Sequence, residues 1–488
     1  MRKGSITIFA LLSMMIVAST LFALLEASRF HQIKGLTKLQ TQVALESIFA
    51  EYNTHLWEQY RILACNQEFI EENIENHGNR QIIENDMGTN FYQFRVKQVE
   101  VLGYTRLTDG GGDAFIQAAA GYMEKNVLQE TAKVIYNQYE GIKNIQDGSG
   151  YSFQDIGQAV KELEKSEKTQ ESEITDEGIK ESRENQEIHK KDVSRGTVGK
   201  GKNLLEWIES IQEKGILSLV LKEEELSDKE FCTTDKVSNR NLPEGYNPNL
   251  KSLDWYSRIL FQQYILTYLS NYTDEKTHTM NYEVEYLLSG KDSDIENLKG
   301  TVTRLLAIRT AANFLYLSNN IERQEQAGIL ALSIAGVSAN PILVETVKTA
   351  IITAWAFAES VLDIRTLLTG GKIALLKSET SWTLDIDDIT TLNDGYPKAK
   401  NCKDGLSYEE YLGILLLLQS DKVTAMRTMD VQEQTLREMY GDKSIKMEDW
   451  MIELKASVSY GYHPVFFSIQ RTIPSWNYEI VTTGEFAY

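Results

Sequence analysis

Glu283 and Glu285 stand two residues apart in a segment, Met280 to Tyr286, where apolar and polar residues alternate. On a strand that spacing puts both carboxylates on one face, as in a glycosidase whose paired acids protonate a leaving group and attack or activate water. Alternation on an ordinary exposed sheet face accounts for them equally well, so no catalytic role is expected. Asp385-Ile386-Asp387-Asp388 offers hard oxygen ligands, with Asp385 and Asp387 on one face of a short strand. The glycine and the distal glutamate of a calcium loop are missing, and the expected reading is a strand with one face in water. Gly110-Gly111-Gly112, between Asp109 and Asp113, has the composition of a phosphate cradle. A Walker loop closes on Gly-Lys-Ser/Thr, which does not follow here, so the glycines predict a turn ahead of a helix over 114–140.

The remaining reactive side chains are scattered. His31, His55, His77, His189, His278 and His463 form neither a His-Glu-x-x-His motif nor an i, i+4 pair. Cys65, Cys232 and Cys402 include no Cys-x-x-Cys, and an odd count admits at most one disulfide. Neither a Gly-x-Ser-x-Gly elbow nor a Gly-x-Gly-x-x-Gly fingerprint is present. Asn271-Tyr272-Thr273 fits an N-glycosylation sequon. The chain is therefore expected to be non-enzymatic, with no cofactor, no metal and no catalytic residue. A formal net charge of -20 argues against nucleic-acid partners, which require a basic face.

The elements that would carry such residues begin with the most informative stretch. Arg2-Lys3-Gly4 precedes an uncharged apolar run from Ser5 to Leu25, which Glu26 ends. About twenty residues at roughly 1.5 Å each cross a ~30 Å hydrocarbon core, so residues 5–25 are expected to partner a bilayer. A cleaved secretory signal would have a shorter core and a small-x-small site, and the sequence near Leu25-Glu26-Ala27 supplies a poor one. Arg2 and Lys3 on one flank nearly balance Arg29, Lys34 and Lys38 on the other. Long domains translocate largely regardless of charge, so a single-pass chain with an extracytoplasmic body is expected. Leu45, Ile48, Phe49, Tyr52, Leu56, Tyr60 and Leu63 recur at three- and four-residue steps, which predicts one helix from residue 5 to about 64, with Gly35 as its bend.

Beyond the anchor, four regions are expected: a membrane anchor and long helix over 1–65, a first α+β lobe over 66–160, a charged linker over 161–200, and a second helix-rich lobe with strands over 201–488. About half the linker is charged and large apolar residues nearly vanish from it, so it cannot bury enough surface to offset ordering entropy. Two-residue alternation predicts strands at 94–101 with a bulge at Lys97-Gln98, and at 280–286, 382–386, 458–462 and 478–482. Helices are expected at 204–220, 255–271, 301–325, 412–418 and 423–440, and a buried apolar hairpin at 327–361 divided by Asn340-Pro341. The fold class is α+β and helix-rich, with the long first helix lying against a small antiparallel sheet assembled from distant segments.

Lys3-Gly4-Ser5, a basic residue, a glycine and a small residue opening an apolar helix, resembles the class III leader of type IV pilin-like proteins. That resemblance implies a leader-processing site at Lys3, Gly4 and Ser5, with a prepilin peptidase cutting after Gly4. Phe9 stands where pilins usually carry Glu. Glu26-Ala27-Ser28-Arg29, Phe49-Ala50-Glu51-Tyr52-Asn53, Asn281-Tyr282-Glu283-Val284-Glu285-Tyr286-Leu287-Leu288 and Trp355-Ala356-Phe357-Ala358-Glu359-Ser360-Val361 extend the likeness. Together they resemble an uncharacterised family of single-span surface proteins of clostridia and related Gram-positive bacteria, similar to the TadE/TadG pseudopilins and associated with Tad pilus loci. The resemblance implies a cell-surface structural or assembly component of a Tad-type pilus or secretion apparatus, with other pilin-like subunits as partners. The rival expectation is an anchored extracellular ligand-binding or sensor protein whose pocket is lined by 327–361.

Overall fold

The computed structural model describes residues 3–66, 69–85, 92, 94–125, 129–149, 216–221, 226–231, 235–274, 276, 279–335, 340–392, 395–465 and 478–488. The linker expected at 161–200, and most of the helix expected at 204–220, lie outside them. In chain order come α1 (Lys3–Ala50), α2 (Thr54–Tyr60), β1 (Cys65–Asn66), α3 (Ile70–Asn85), β2 (Phe94–Arg106), α4 (Asp109–Met123) and α5 (Gln129–Ser149). They are followed by α6 (Ile216–Val220), α7 (Trp255–Tyr268), α8 (Glu283–Ser289), α9 (Asp294–Asn319), α10 (Ile321–Ala335) and α11 (Pro341–Leu368). The chain ends with α12 (Tyr408–Leu418), α13 (Asp421–Tyr440), β3 (Trp450–Tyr462) and β4 (Tyr478–Ala487). The fold is α+β and helix-rich with one small antiparallel sheet, as the periodicities predict. It divides into two compact units, the first formed by Met1–Asn126, Asp235–Phe261 and Thr428–Tyr488, the second by Val127–Thr234 and Gln262–Arg427.

The first unit is organised by a helix on a sheet. β3 is the inner strand, pairing β2 along one side and both β1 and β4 along the other, all antiparallel. The β2–β3 register shifts between Val96 and Gln98, the bulge that the broken alternation predicts. Ile33, Leu45, Ile48 and Phe49 of α1 share a core with Val96 of β2, Leu454 and Val458 of β3 and Ile480 of β4. These α1 positions recur at helical spacing, so one stripe faces the sheet. Gly484 permits the approach: a Cβ there would meet Leu45 Cδ1 at 2.8 Å and Thr41 Cγ2 at 3.0 Å.

α1 ends earlier than the apolar stripe implies. The side chain of Asn53 accepts a hydrogen bond from Leu56 N at 2.9 Å and so caps a new helix, α2, while Asn53 N bonds Ala64 O at 2.8 Å. Leu56 and Tyr60 still reach the core, which is why the spacing reads as continuous. α1 runs through Gly35 as one continuous helix. The helix expected over 114–140 is two helices, α4 and α5. Gly110, Gly111 and Gly112 all have positive φ (68°, 74° and 97°) and form the expected turn. Asp109 fixes that turn by accepting from Arg106 N and Gly245 N, each at 2.8 Å.

The second unit is helical. α9 and α11 pack together around buried charge: Arg309 Nε donates to Asp363 Oδ2 at 3.0 Å, and Lys377 Nζ lies 2.7 Å from both Glu359 Oε1 and Asp363 Oδ1. Arg309 also donates to the carbonyls of Ala374 and Leu375 and to Tyr411 Oη. The hairpin of α10 and α11 begins as the sequence indicates, with Asn340 capping α11 and Pro341 in its first turn. Only part of it is buried. α11 is enclosed on all sides from Ala350 to Leu368, whereas Ile329, Leu332 and Ile342 near the other end are exposed.

Two expected strands are not strands. Residues 283–289 form the short helix α8, with both faces buried, so the apolar/polar alternation there reflects two enclosed glutamates rather than a pleat. Trp382 to Asp385 is an extended segment whose amides are taken by a side chain: Thr383 N and Leu384 N donate to Glu359 at 3.1 and 2.8 Å. A 3-10 helix, Ile386–Thr391, follows.

Candidate functional site

Among the described residues two helices are long and apolar enough to cross a membrane, and they differ in where their apolar surface points. In α11 more than half of the most apolar window is buried inside the fold; in α1 none of it is. Ile6, Phe9, Met14, Ile16, Phe22 and Leu25 of α1 all stand exposed, from 47 to 73%. Soluble monomers rarely display so much contiguous apolar surface. Three of its hydroxyl groups are bonded within the helix, as hydrocarbon requires. Ser13 Oγ donates to Phe9 O at 2.6 Å, Ser19 Oγ to Ile16 O at 2.9 Å and Thr20 Oγ1 to Val17 O at 2.8 Å. The arrangement can partition into a bilayer without leaving a polar group of these side chains unbonded.

The character of α1 changes within one turn of Leu25. Arg29 is buried and pairs with Glu26 at 2.8 Å, and its other terminal nitrogen donates to Tyr92 O. Val465 N, just past β3, donates to Glu26 Oε2 at 3.1 Å. The first charges after the apolar run therefore tie the helix to the end of the sheet instead of standing free. Farther along, Thr41 Oγ1 bonds Tyr460 Oη at 3.1 Å and Thr482 Oγ1 at 2.6 Å, and the rings of Phe49 and Phe486 lie 4.7 Å apart. Burial pushes the Tyr460 hydroxyl up to about 12 and raises that of Tyr462, so both phenols stay neutral. α1 and β4 run in the same direction, with residues 30, 41, 45 and 49 matched to 478–486.

Lys3, Gly4 and Ser5 occupy the first turn of α1, at the far end of its exposed half. The other sequence-predicted groups are structural or separate. Glu283 and Glu285 are fully buried at the start of α8, not displayed on a sheet face. Glu283 accepts from Ser270 N at 2.8 Å; Glu285 accepts from Tyr272 N at 3.0 Å and Tyr408 Oη at 2.7 Å. They pin a loop to a helix, and burial pushes the Glu285 carboxyl up to about 7. Asp385 pairs with Arg323 at 3.1 Å and shares no strand face with Asp387. Among the described residues no group of His, Cys, Asp and Glu could hold a metal ion. Cys65 and Cys402 are free thiols, and burial pushes Cys65 up to about 12, which makes it inert; Cys232 lies outside the described residues. Asn271 is fully buried, and its Oδ1 accepts from Thr273 and Asp274, so in the folded chain the sequon is a closed turn.

Sequence reasoning missed the buried ionic cluster of Arg309, Glu359, Asp363 and Lys377. A signal was available, because Glu359 and Asp363 are four residues apart in the most apolar part of α11 and must share a face. A polar cleft of about 410 Å³ in the first unit is lined by Gly103, Thr105, Asn247, Asn249, Glu453, Lys455 and Glu485, among others. Another, of about 390 Å³, lies between Arg304, Ile308, Leu415 and Gln419 in the second. Neither takes a lining residue from 327–361.

A family model described as a family of unknown function (DUF5702) matches residues 195–462, which leaves α1 and β4 outside the match. Comparison with curated proteins and with solved structures gives no match.

Proposed function

The chain belongs to DUF5702, a family of unknown function, and we propose that it is a non-enzymatic, membrane-anchored surface protein, a pilin-like structural or assembly component of a Tad-type pilus or secretion apparatus. One observation carries this reading. α1 is a single helix whose first half presents an exposed apolar surface and whose second half lies along an antiparallel sheet. A subunit built this way can be held in a bilayer, or packed among like helices, through the first half while the second half holds the sheet in fixed register with it.

Residues 5–25 are the single span, and the acidic body is extracytoplasmic. Lys3-Gly4-Ser5, at the end of the span remote from the body, is where a prepilin peptidase would cut. The buried glutamates, inert thiol and satisfied ionic cluster fit a scaffold rather than a reaction centre. The test is Gly4→Leu in the native host, read as leader processing, carbonate-resistant membrane association and co-purification with pilus subunits. Blocked processing and lost co-purification, with membrane association retained, is expected. Unchanged processing and assembly would remove the pilin-like part of the reading, and loss of the wild-type chain to the carbonate supernatant would remove the anchor.

A further inference from the structure

We propose that the end of the sheet nearest the span is a second bilayer contact, in which the exposed rings of Phe30 and Tyr478, held together by the buried Tyr462 between them, form an aromatic belt seated in the phospholipid headgroup layer. The inference rests on the anchoring reading of residues 5–25. Its argument is one of levels. Ser5 to Leu25 at ~1.5 Å per residue fills a ~30 Å hydrocarbon core, which places the edge of that core at Leu25. The headgroup layers bring a bilayer to ~40–45 Å, roughly 5–7.5 Å on each side. Phe30 lies five residues beyond Leu25, ~7.5 Å along the helix axis, at the outer part of that layer.

The sheet reaches the same level. Phe30 and Tyr462 have ring centroids 5.9 Å apart, and Tyr462 stacks on Tyr478 at 5.5 Å. The bond from Val465 N to Glu26 places the end of β3 one turn nearer still to the hydrocarbon. Phe30 and Tyr478 are 36 and 42% exposed. A phenol or phenyl ring there is half apolar surface and half edge, the chemistry that concentrates aromatic residues at membrane interfaces. Two of the nearby cations are paired, Arg29 with Glu26 and Lys97 with Glu479 at 3.0 Å, and the contact is made by the rings. The opposite end of β4, at Tyr488, is roughly 28 Å farther along α1, well outside any headgroup layer.

The full chain, reconstituted in phosphatidylcholine nanodiscs, tests this with three tryptophan reporters, each compared with the parent chain so that native tryptophans cancel. Phe22→Trp sits in the span, Tyr478→Trp in the belt and Tyr488→Trp at the far end of β4. Lipid carrying bromine at a shallow acyl position quenches tryptophan by contact. Loss of the added emission is expected for Phe22→Trp and Tyr478→Trp, and none for Tyr488→Trp. Quenching of Phe22→Trp alone would overturn the belt and leave the anchor standing. No quenching at Phe22→Trp would overturn both. Should Tyr478→Trp fail to fold, Glu479→Trp, exposed at the next position, reads the same layer with the same two outcomes.

Discussion

Glu285 gives the body of this protein a pH dependence of calculable sign and size. Its carboxyl is fully enclosed, and burial raises it from 4.5 to about 7, against the lowering effect of the Tyr272 amide and the Tyr408 hydroxyl. Below 4.5 both folded and unfolded chains hold the proton, and the stabilisation from the neutral carboxyl is fully present. Between 4.5 and 7 the unfolded chain gives up the proton while the folded chain keeps it, so stability falls as pH rises. At about 1.4 kcal/mol per unit, a displacement of this size removes about 3 kcal/mol by pH 7 and above. Glu285→Gln retains an oxygen to accept from Tyr272 N and Tyr408 Oη, and it cannot ionise. The variant is therefore expected to match the wild type near pH 4.5 and to exceed it by up to about 3 kcal/mol near pH 8. Urea unfolding of both chains across this range measures the difference directly, with m unchanged. A difference that stays constant with pH would refute the buried, titrating carboxyl.

Three further outcomes are expected. Asp363→Ala leaves Arg309 and Lys377 enclosed with one fewer anion, and should cost about 3–5 kcal/mol in urea unfolding; a loss under about 1 kcal/mol would mean the cluster is hydrated. Leu45→Ala removes the α1 side chain seated over Gly484 and should destabilise the first unit by about 2–5 kcal/mol, seen as earlier loss of amide protection in β4; unchanged protection would contradict the packing of α1 on the sheet. Ile16→Lys puts a charge mid-span at a cost of roughly 2.5–3.5 kcal/mol, and should move chain from the carbonate-resistant membrane pellet to the supernatant; an unaltered pellet fraction would count against insertion of residues 5–25.

The sheet and the apolar half of α1 were legible in the sequence because each carries a single pattern over many residues. Val458, Tyr460 and Tyr462 alternate over one buried face, and the run from Ser5 to Leu25 contains no charge at all. Pairing partners came from distant segments, which alternation allows but cannot specify. The failures share a cause, in that polar side chains took over backbone bonding. Asn53 caps a new helix inside a continuous apolar stripe. Glu359 occupies the amides of Thr383 and Leu384, where a neighbouring strand was expected. Glu283 and Glu285 were assigned to solvent because acids usually lie there, yet both are enclosed because loop amides and a tyrosine hydroxyl receive them. The meeting of Phe30 with Tyr462 and Tyr478 had no sequence signal, since Phe30 lies more than 400 residues from the two tyrosines and reaches them only when α1 aligns with the sheet.

The measurement that reaches the centre of this account is the mature amino terminus of the chain purified from its native membrane, determined by mass spectrometry. A membrane-bound chain beginning at Ser5 is expected, with the apolar half of α1 retained and the leader removed. A chain beginning at Met1 would keep the anchor and refute pilin-type processing. A start near Ala27 or Ser28 would contradict the account outright, because the exposed half of α1 would be absent from the working protein.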